Sequence, residues 1–329
     1  MPYSVALVGC GLAAELFHVP ALIAQAALLQ VRWVVDPRSD RRRLIAAALP
    51  GEPEQLDDPA ALDTGARQPD LVVVATPTAT HAPLLTTRFL DAAVLCEKPV
   101  ASRTTDARAA LQRRAGATPP GGPVAVAHSE LFRPAVVQLL ARLKAGAIGT
   151  PRAVTAGHHL TAPPAHVPER LPWRLAPDGG GVLADLAYHL VYLSAAVLGQ
   201  PTTVTGATFI TPQGSAVEHS ATLRVAGGDG ATGTIETSWL ANEPRWWFGV
   251  EGTHGALRVD DYRQLTACGP DGRWSPVPVD EPPGGHYGAI YAAAAAGLDV
   301  GRAPGIPADE GLRVLAVLDS ARAAAQRKG

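Results

Sequence analysis

Short apolar runs alternate with helical patterns over the first third of the chain. The runs Leu7-Val8, Val34-Val35 and Val72-Val73-Val74 are continuously apolar, as expected of strands that helices cover on both faces. The pattern predicts strands over 4–8, 31–35, 71–75, 93–96 and 124–127, and helices over 12–28, 39–48, 79–90, 104–115 and 133–144. Regular alternation of strand and helix is typical of βαβ units, so we expect an α/β domain with a parallel, doubly wound sheet.

Farther along the chain the pattern changes to alternating apolar and polar positions, with Gly, Pro or Asp between segments. Alternation predicts strands with one buried and one solvated face, at 152–155, 202–205, 220–225 and 232–237. Helical patterns cover 182–198 and 307–326. We therefore expect a first domain over 1–127 and, over 128–329, an α+β domain with an open, mainly antiparallel sheet.

The composition is that of an ordinary globular protein, with 329 residues, 47% hydrophobic residues and a net charge of −2. No basic face is evident, so neither nucleic acid nor a membrane surface is expected as a partner. The densest cationic run, 41–43, lies beside Asp36 and Asp40 and is interpreted as a solvated helix face.

Three cysteines, Cys10, Cys96 and Cys268, lie far apart without a CxxC pair. This spacing argues against a disulfide framework and a structural zinc site, and it fits a reducing compartment. The chain also lacks a signal-peptide pattern and an apolar stretch of about 18 residues. We expect a cytoplasmic protein.

The segment Gly9-Cys10-Gly11-Leu12-Ala13-Ala14 follows the first predicted strand and opens the first helix, which is the context of a dinucleotide-binding fingerprint. The first two glycines would serve the turn and the approach of the pyrophosphate. Ala14 replaces the third glycine, a position that serves helix packing and tolerates a methyl group. The alternative is a simple tight turn between strand and helix.

Asp36 ends the second predicted strand, where a carboxylate can accept hydrogen bonds from the ribose hydroxyls of adenosine. A 2′-phosphate would meet like-charge repulsion there, so NAD(H) is favoured over NADP(H). Arg38 is close enough in sequence to contact a 2′-phosphate, which keeps NADP(H) as the alternative cofactor. Asp36 could also be only a turn acid before Pro37.

Further motifs, in their order along the chain, resemble those of the Gfo/Idh/MocA oxidoreductases. They are Val72–Pro77 followed by His81, Cys96–Pro99, Gly179–Asp185 with His189, and Glu251–Gly255. The resemblance spans nearly the whole chain and implies a Rossmann domain followed by an α+β domain whose open sheet commonly forms the interface of a homo-oligomer. The candidate cofactor-binding residues are Gly9, Gly11, Leu12, Ala13, Asp36, Arg38, Thr76, Pro77, His81, Glu97 and Lys98.

Lys98 follows the predicted strand 93–96, at the carboxyl edge of the sheet where open α/β folds bind ligands. The resemblance implies that this lysine contacts substrate and helps to position the nicotinamide. An ammonium there would stabilise the oxyanion that develops as a hydroxyl becomes a carbonyl. The alternative, a surface lysine paired with Glu97, is disfavoured because the chain has only two other lysines, Lys144 and Lys328.

Asp185 and His189 are four residues apart at the start of a predicted helix, so both side chains would project from one face. The resemblance implies that the histidine is the general base or acid and that the aspartate orients or polarises the site. Tyr192 stands where an aspartate often follows this histidine in the family. The alternative is a first-turn acid favoured by the helix dipole, followed by a packed histidine.

Aromatic faces and bidentate donors suit a polyhydroxylated ring. The candidate substrate contacts are His159, Trp173, Arg174, Tyr188 and Tyr287. His158, His159 and His166 could suggest a metal, but adjacent strand residues point to opposite faces and no carboxylate follows at ligand spacing, so no metal is assigned.

The leading hypothesis is an NAD(P)-dependent oxidoreductase that transfers a hydride between a nicotinamide and a secondary alcohol or ketone of a sugar, cyclitol or sugar derivative, including a nucleotide-linked keto-sugar. Two alternatives stay open. One is an NAD-dependent glycoside hydrolase that oxidises its sugar transiently, and the other is a non-catalytic nicotinamide sensor. The combination of Lys98, Asp185 and His189 argues against a sensor, which has no need of proton transfer.

Overall fold

The computed structural model describes residues 1–63, 68–89, 91–117, 121–161, 172–177, 180–200 and 202–326. They form two compact units, one of Met1–Ser129 with Pro282–Leu312 and the other of Glu130–Glu281 with Arg313–Gly329. The first break along the chain lies two residues beyond the predicted one. The chain was not predicted to return to the first unit, but Pro282–Leu312 belongs to it.

Within these described ranges the chain forms fifteen strands and eight α-helices. The strands are β1 Tyr3–Val8, β2 Leu29–Val35, β3 Glu54–Leu56, β4 Leu71–Val74, β5 Ala93–Cys96, β6 Val124–Val126, β7 Pro151–His159, β8 Thr203–Ile210, β9 Ser220–Ala226, β10 Thr232–Ser238, β11 Arg245–Gly252, β12 Gly255–Asp260, β13 Gln264–Cys268, β14 Trp274–Val277 and β15 Ile306–Pro307. The helices are α1 Val19–Ala24, α2 Ser39–Ala48, α3 His81–Thr87, α4 Thr104–Ala115, α5 Pro134–Lys144, α6 Tyr188–Leu198, α7 Gly285–Asp299 and α8 Ala308–Gln326.

The first unit contains a seven-stranded sheet in the order β15-β6-β5-β4-β1-β2-β3. Strands β1 to β6 are parallel and β15 is antiparallel to β6. Every residue of β4 and β5 is buried, as their continuously apolar sequence predicts for strands covered on both faces. The predicted α/β Rossmann-type fold is confirmed.

The segment 282–312 joins the first unit through long-range contacts that the sequence pattern does not reveal, of which two are examples. Ile306 pairs with Val126 in the sheet, and the Tyr291 hydroxyl on α7 lies 2.7 Å from Nδ1 of His18. The two-residue strand β15 and the alanine-rich helix α7 carry little periodic signal. The sequence pattern therefore does not show that they belong to the first unit, whereas the long-range contacts do.

The second unit contains an eight-stranded sheet in the order β14-β13-β12-β11-β7-β10-β9-β8. Strands β7 and β10 are parallel, whereas the other neighbouring strands are antiparallel. The sheet is therefore mainly antiparallel, as predicted, although β11 to β14 were not predicted. On β10 the buried positions Gly233, Ile235 and Thr237 alternate with more exposed ones, which leaves one face of the sheet less covered.

No helix in the described ranges is both long enough and apolar enough to span a bilayer.

A buried guanidinium holds the loops at one end of the first sheet. Arg114 on α4 is only 2% exposed. Its Nη2 donates to the carbonyls of Phe89 and Ala92, both at 2.6 Å, and its Nε donates to Gly122 at 2.9 Å. Burial lowers the pKa of Arg114 to about 10, so the group stays charged near neutral pH.

We expect Arg114→Met to lower the free energy of unfolding by about 3 kcal/mol, because several buried carbonyls lose their donor. The measurement is urea denaturation of the full chain followed by circular dichroism. The matched control is Arg113→Met, one position earlier on α4 with an exposed side chain. Equal stability of the two variants would contradict this role of Arg114.

Candidate active site

Neighbouring strands bring the predicted cofactor loops to one edge of the first sheet. The register pairs Val8 with both Val35 and Val74, and it pairs Val74 with Cys96. Because these residues end β1, β2, β4 and β5, the loops after them begin side by side. This is the carboxyl edge, where ligands of open α/β sheets bind.

The glycine loop after β1 has the shape that a pyrophosphate requires. Gly9 has a φ of +99°, and a Cβ there would lie 2.6 Å from the Ala75 carbonyl, so glycine is needed. At Gly11, by contrast, no atom of the described residues lies within 4 Å of where a Cβ would be. The helix begins directly afterwards at Leu12 and Ala13, which places backbone N–H groups beside this open space. The loop therefore fits a dinucleotide.

Asp36 is anchored to the glycine loop. Its Oδ2 accepts from the Cys10 N–H at 2.8 Å, and its Oδ1 accepts from the Arg38 N–H at 2.9 Å. A carboxylate has lone pairs to spare, so ribose hydroxyls could still be bound. The exposed Arg38 guanidinium forms an ion pair with Asp40 at 2.7 Å, which reduces its availability to a 2′-phosphate.

The interpretation of the arginine run 41–43 as a solvated face is wrong for two of its members. Arg41 donates through Nε to the Cys10 carbonyl at 2.8 Å and also pairs with Glu15. Arg42 donates through Nη1 to the Asp36 carbonyl at 2.5 Å. Both side chains therefore brace the cofactor loops, a role that depends on the proximity of α2 to the glycine loop.

His81 joins two of the loops from inside the protein. Its Nε2 lies 2.8 Å from the Thr76 carbonyl and its Nδ1 lies 2.7 Å from the Pro99 carbonyl. The ring is buried, and burial lowers the pKa of His81. His81 was predicted to contact the cofactor, but this geometry favours a role in holding the loops that carry Thr76 and Lys98. Pro77 itself is exposed at the edge.

Glu97 and Tyr287, predicted to contact cofactor and substrate respectively, contact each other. The Tyr287 hydroxyl donates to Oε1 of Glu97 at 2.8 Å, and the Lys98 backbone N–H donates to Oε2 at 3.0 Å. Lys98 is half-buried beside this carboxylate. Tyr287 lies on α7, which belongs to the first unit, and its contact with substrate stays a prediction.

In the second unit Asp185 lies in a π-helical turn, Leu183–Ala187, directly before α6. It is 7% exposed, and the Trp239 indole donates to its Oδ2 at 3.2 Å. Arg174 forms an ion pair with its Oδ1 at 2.8 Å. Arg174 was predicted to contact substrate, but this ion pair favours a role in holding the buried carboxylate.

His189 has a partner that the sequence analysis recorded only as a departure from the family. Its Nδ1 lies 2.9 Å from the Tyr192 hydroxyl, which also accepts from the Glu130 N–H at 2.8 Å. Burial raises the pKa of Tyr192 well above its usual value, so the phenol stays neutral. The phenol oxygen can accept from Nδ1–H, which favours the tautomer whose Nε2 acts as a base. Once Nε2 has taken up a proton, the imidazolium keeps its Nδ1–H on the phenol oxygen and can return the proton from Nε2 as an acid.

Two other residues that were predicted to contact substrate, His159 and Tyr188, pack against aromatic side chains. His159 packs edge-to-face on Trp247 at 5.0 Å, on the sheet face opposite to that of His158, because successive strand residues alternate. Tyr188 is fully buried against Tyr192. The side chain of Trp173, and His166 altogether, lie outside the described residues. Contact of His159 and Tyr188 with substrate stays a prediction.

Sequence reasoning missed Tyr262, at the centre of an aromatic and charged cluster in the second unit. Its hydroxyl lies 2.9 Å from Nε2 of His158, Trp246 stacks on its ring at 4.7 Å, and the Arg133 guanidinium lies 4.0 Å above that ring. Tyr262 has a φ of +66°, which is unusual for a bulky residue. The Asp185 carboxylate is one of the charges that act on the Tyr262 phenol, whose pKa is raised mainly by burial. Tyr262 lies in the turn between β12 and β13. Neither strand was predicted, so no sequence pattern singled out this tyrosine.

Among the described residues no three His, Cys, Asp or Glu side chains come together as metal ligands.

Two family models match the chain. The oxidoreductase family with an NAD-binding Rossmann fold matches residues 3–117, and the GFO/IDH/MocA C-terminal domain matches residues 136–258. The chain therefore belongs to the Gfo/Idh/MocA family of oxidoreductases. The predicted family and nicotinamide cofactor are confirmed, and the protein is an NAD(P)-dependent dehydrogenase that acts on CH–OH groups.

Similar proteins include enzymes of sugar metabolism. The chain is 28% identical over 290 residues to a D-apiose dehydrogenase of Paraburkholderia graminis, which covers 83% of this chain and 74% of that protein. It is 32% identical over 168 residues to an inositol 2-dehydrogenase of Saccharopolyspora erythraea, covering 49% of this chain and 46% of that one. The solved structure of an aldose-aldose oxidoreductase from Caulobacter crescentus matches 100% of this chain and 99% of its own, with a TM-score of 0.87 and 20% identity. That likeness concerns the fold alone.

We expect Asp36→Ala to weaken NADH binding by roughly ten- to a hundredfold, because charge-assisted hydrogen bonds worth about 1.5–3 kcal/mol are lost. NADPH binding should weaken less, since the repulsion of a 2′-phosphate is removed as well. Fluorescence titration with both cofactors measures this. Asp106→Ala, an exposed acid on α4, is the control. An unchanged ratio of NADH to NADPH affinity in Asp36→Ala would contradict the assignment.

Proposed function

We propose that the protein transfers a hydride between NAD(H) and a secondary alcohol or ketone of a sugar, cyclitol or sugar derivative. The observation that carries this proposal is the hydrogen bond between Nδ1 of His189 and the Tyr192 hydroxyl, which orients the imidazole of a candidate general base. The D-apiose and inositol dehydrogenases among the relatives support polyhydroxylated substrates.

Each catalytic residue has a separate role in this proposal. A bound nicotinamide supplies the hydride acceptor or donor at C4. His189 removes the hydroxyl proton in the oxidative direction and returns it in the reductive one. Lys98 stabilises the alkoxide with its ammonium, and Asp185 orients the site as a carboxylate held by Trp239 and Arg174.

Preference for NAD(H) rests on the anchored Asp36 carboxylate and on the ion pair between Arg38 and Asp40. Glycoside hydrolysis through transient oxidation is the alternative that an assay must separate, since it would use the same proton-transfer groups. Its distinguishing property is the absence of net NADH production.

The test titrates the purified protein with NADH and NADPH by fluorescence, and then follows absorbance at the nicotinamide band with D-apiose, myo-inositol and a panel of aldoses and keto-sugars. We expect tighter binding of NADH and a change in absorbance with at least one polyol or ketone. Binding without net redox change on any of them would contradict the dehydrogenase proposal and favour hydrolysis or sensing.

Lys98→Ala and His189→Ala are each expected to lower turnover by about 10² to 10⁴, because charge stabilisation or proton transfer is lost. NADH affinity should change little, since neither residue belongs to the glycine loop or the Asp36 region. Lys144→Ala is the matched lysine control. Wild-type turnover in either active-site variant would refute the role of that residue.

We also propose that the chain forms a homo-oligomer through the less covered face of the second sheet. This face carries Trp247, with His159 at 5.0 Å and the Arg245 guanidinium 4.9 Å from its ring. Light scattering should give a mass above that of one chain, and Trp247→Glu should reduce it because a charge would be buried in the interface. A single-chain mass for the unaltered protein would contradict this proposal.

The cytoplasmic location stays a prediction.

A further inference from the structure

A buried polar cluster in the first unit includes two residues outside every motif that the sequence analysis singled out. They are His18, in the π-helical turn Ala14–His18, and Tyr291 on α7. Both side chains are fully buried. Nδ1 of His18 lies 2.7 Å from the Tyr291 hydroxyl, and its Nε2 lies 3.2 Å from Oε1 of Glu97.

The Glu97 carboxylate has donors on both oxygens. Oε1 faces His18 and accepts from the Tyr287 hydroxyl at 2.8 Å, while Oε2 accepts from the Lys98 backbone N–H at 3.0 Å. Burial alone would raise the pKa of Glu97, but hydrogen bonds from His18 and Tyr287, with the charges of His18 and Lys98, lower it to about 2. The group is therefore an ionised carboxylate inside the protein, which is stable only while these donors remain.

Ring packing leaves this cluster little freedom. The His18 ring lies edge-to-face on Tyr287 at 5.1 Å and on Tyr291 at 6.0 Å. Phe17 stacks on the other side of Tyr287 at 5.1 Å. The π-helical turn that places His18 here departs from regular α-helix, a feature often found at functional sites. One carboxylate orientation is thus favoured.

We propose that His18, Tyr287 and Tyr291 are positioning residues for Lys98. They hold the Glu97 carboxylate, which in turn accepts a hydrogen bond from the Lys98 backbone N–H and interacts electrostatically with the Lys98 ammonium. This inference rests on the proposed function, in which Lys98 stabilises the alkoxide, and it explains how a residue on an exposed edge is kept oriented and charged.

The other titratable groups that face the cluster are neutral near pH 7. Burial lowers the pKa of His128 to about 3, and burial raises that of the Cys96 thiol well above its usual value. Burial likewise raises the pKa of Tyr291. Lys98 is one of the charges that lower the pKa of Glu97, so we expect loss of the Glu97 charge to make protonation of Lys98 less favourable.

The first test measures the pH dependence of Lys98 acylation by acetic anhydride, read by mass spectrometry of its peptide. Since the chain has only three lysines, Lys144 in the same sample is the internal reference. Glu97→Gln keeps the shape but removes the charge, and we expect it to lower the midpoint pH for Lys98 by about 1–3 units. His18→Gln and Tyr291→Phe should give smaller shifts in the same direction. An unchanged midpoint for Lys98 in Glu97→Gln would overturn the electrostatic part of the inference.

The second test measures hydrogen–deuterium exchange in the peptide that contains Lys98. Tyr291→Phe and His18→Gln should each speed exchange at the Lys98 N–H by about tenfold, because a loosened carboxylate no longer protects it. Tyr3→Phe is the matched control, since it removes the exposed hydrogen bond of a tyrosine to Asp299 in the same unit. Exchange equal to the control in both cluster variants would overturn the positioning role.

These readouts do not depend on turnover, so they separate the two proposals. Full activity of Lys98→Ala would remove the proposed catalytic function, whatever acylation and exchange report. Normal acylation and exchange in the cluster variants, together with an inactive Lys98→Ala, would remove the positioning inference and leave the proposed function in place.

Discussion

The close approach between the Gly9 turn and the Ala75 carbonyl sets the spacing of the loops at the carboxyl edge of the first sheet. A side chain at position 9 would overlap that carbonyl, so β1 and β4 can keep their register only with glycine there. The loops that carry Asp36, Thr76 and Lys98 all begin from strands tied to this pair. The cofactor-binding edge therefore depends on one backbone contact more than on any side chain.

Around that edge, the charged groups are held by neighbours that do no chemistry themselves. The Glu97 carboxylate is bound by His18 and Tyr287, and the Asp36 carboxylate by the Cys10 N–H of the glycine loop and the Arg38 N–H of its own loop. In the second unit Asp185 is held by an indole and a guanidinium. A buried charge is costly unless its hydrogen bonds are made, so each of these residues needs partners that arrive from distant parts of the sequence.

This dependence explains what could be predicted from the sequence. The strands and helices of the parallel sheet followed from periodicity, and Gly9, Asp36, Lys98 and His189 followed from motifs whose spacing is local. The partners of Glu97 and Asp185 could not be predicted, because the contacts join positions 18 and 97, or 185 and 239, which no periodicity relates. The surroundings of Tyr287 could not be predicted for the same reason, since its contacts with Glu97, Phe17 and His18 join distant parts of the sequence.

Tyr192 is the clearest case of a local departure that the structure interprets. An aspartate at this position would add a negative charge beside His189 and stabilise the imidazolium, whereas a neutral phenol supplies a hydrogen bond without that charge. The phenol therefore orients the ring without adding a second charge beside it. The Glu130 N–H fixes the phenol oxygen, so the orientation of His189 depends on a backbone group of the segment before α5. Replacement of the carboxylate by a phenol thus keeps the geometry of proton transfer while changing the electrostatic environment in which it occurs.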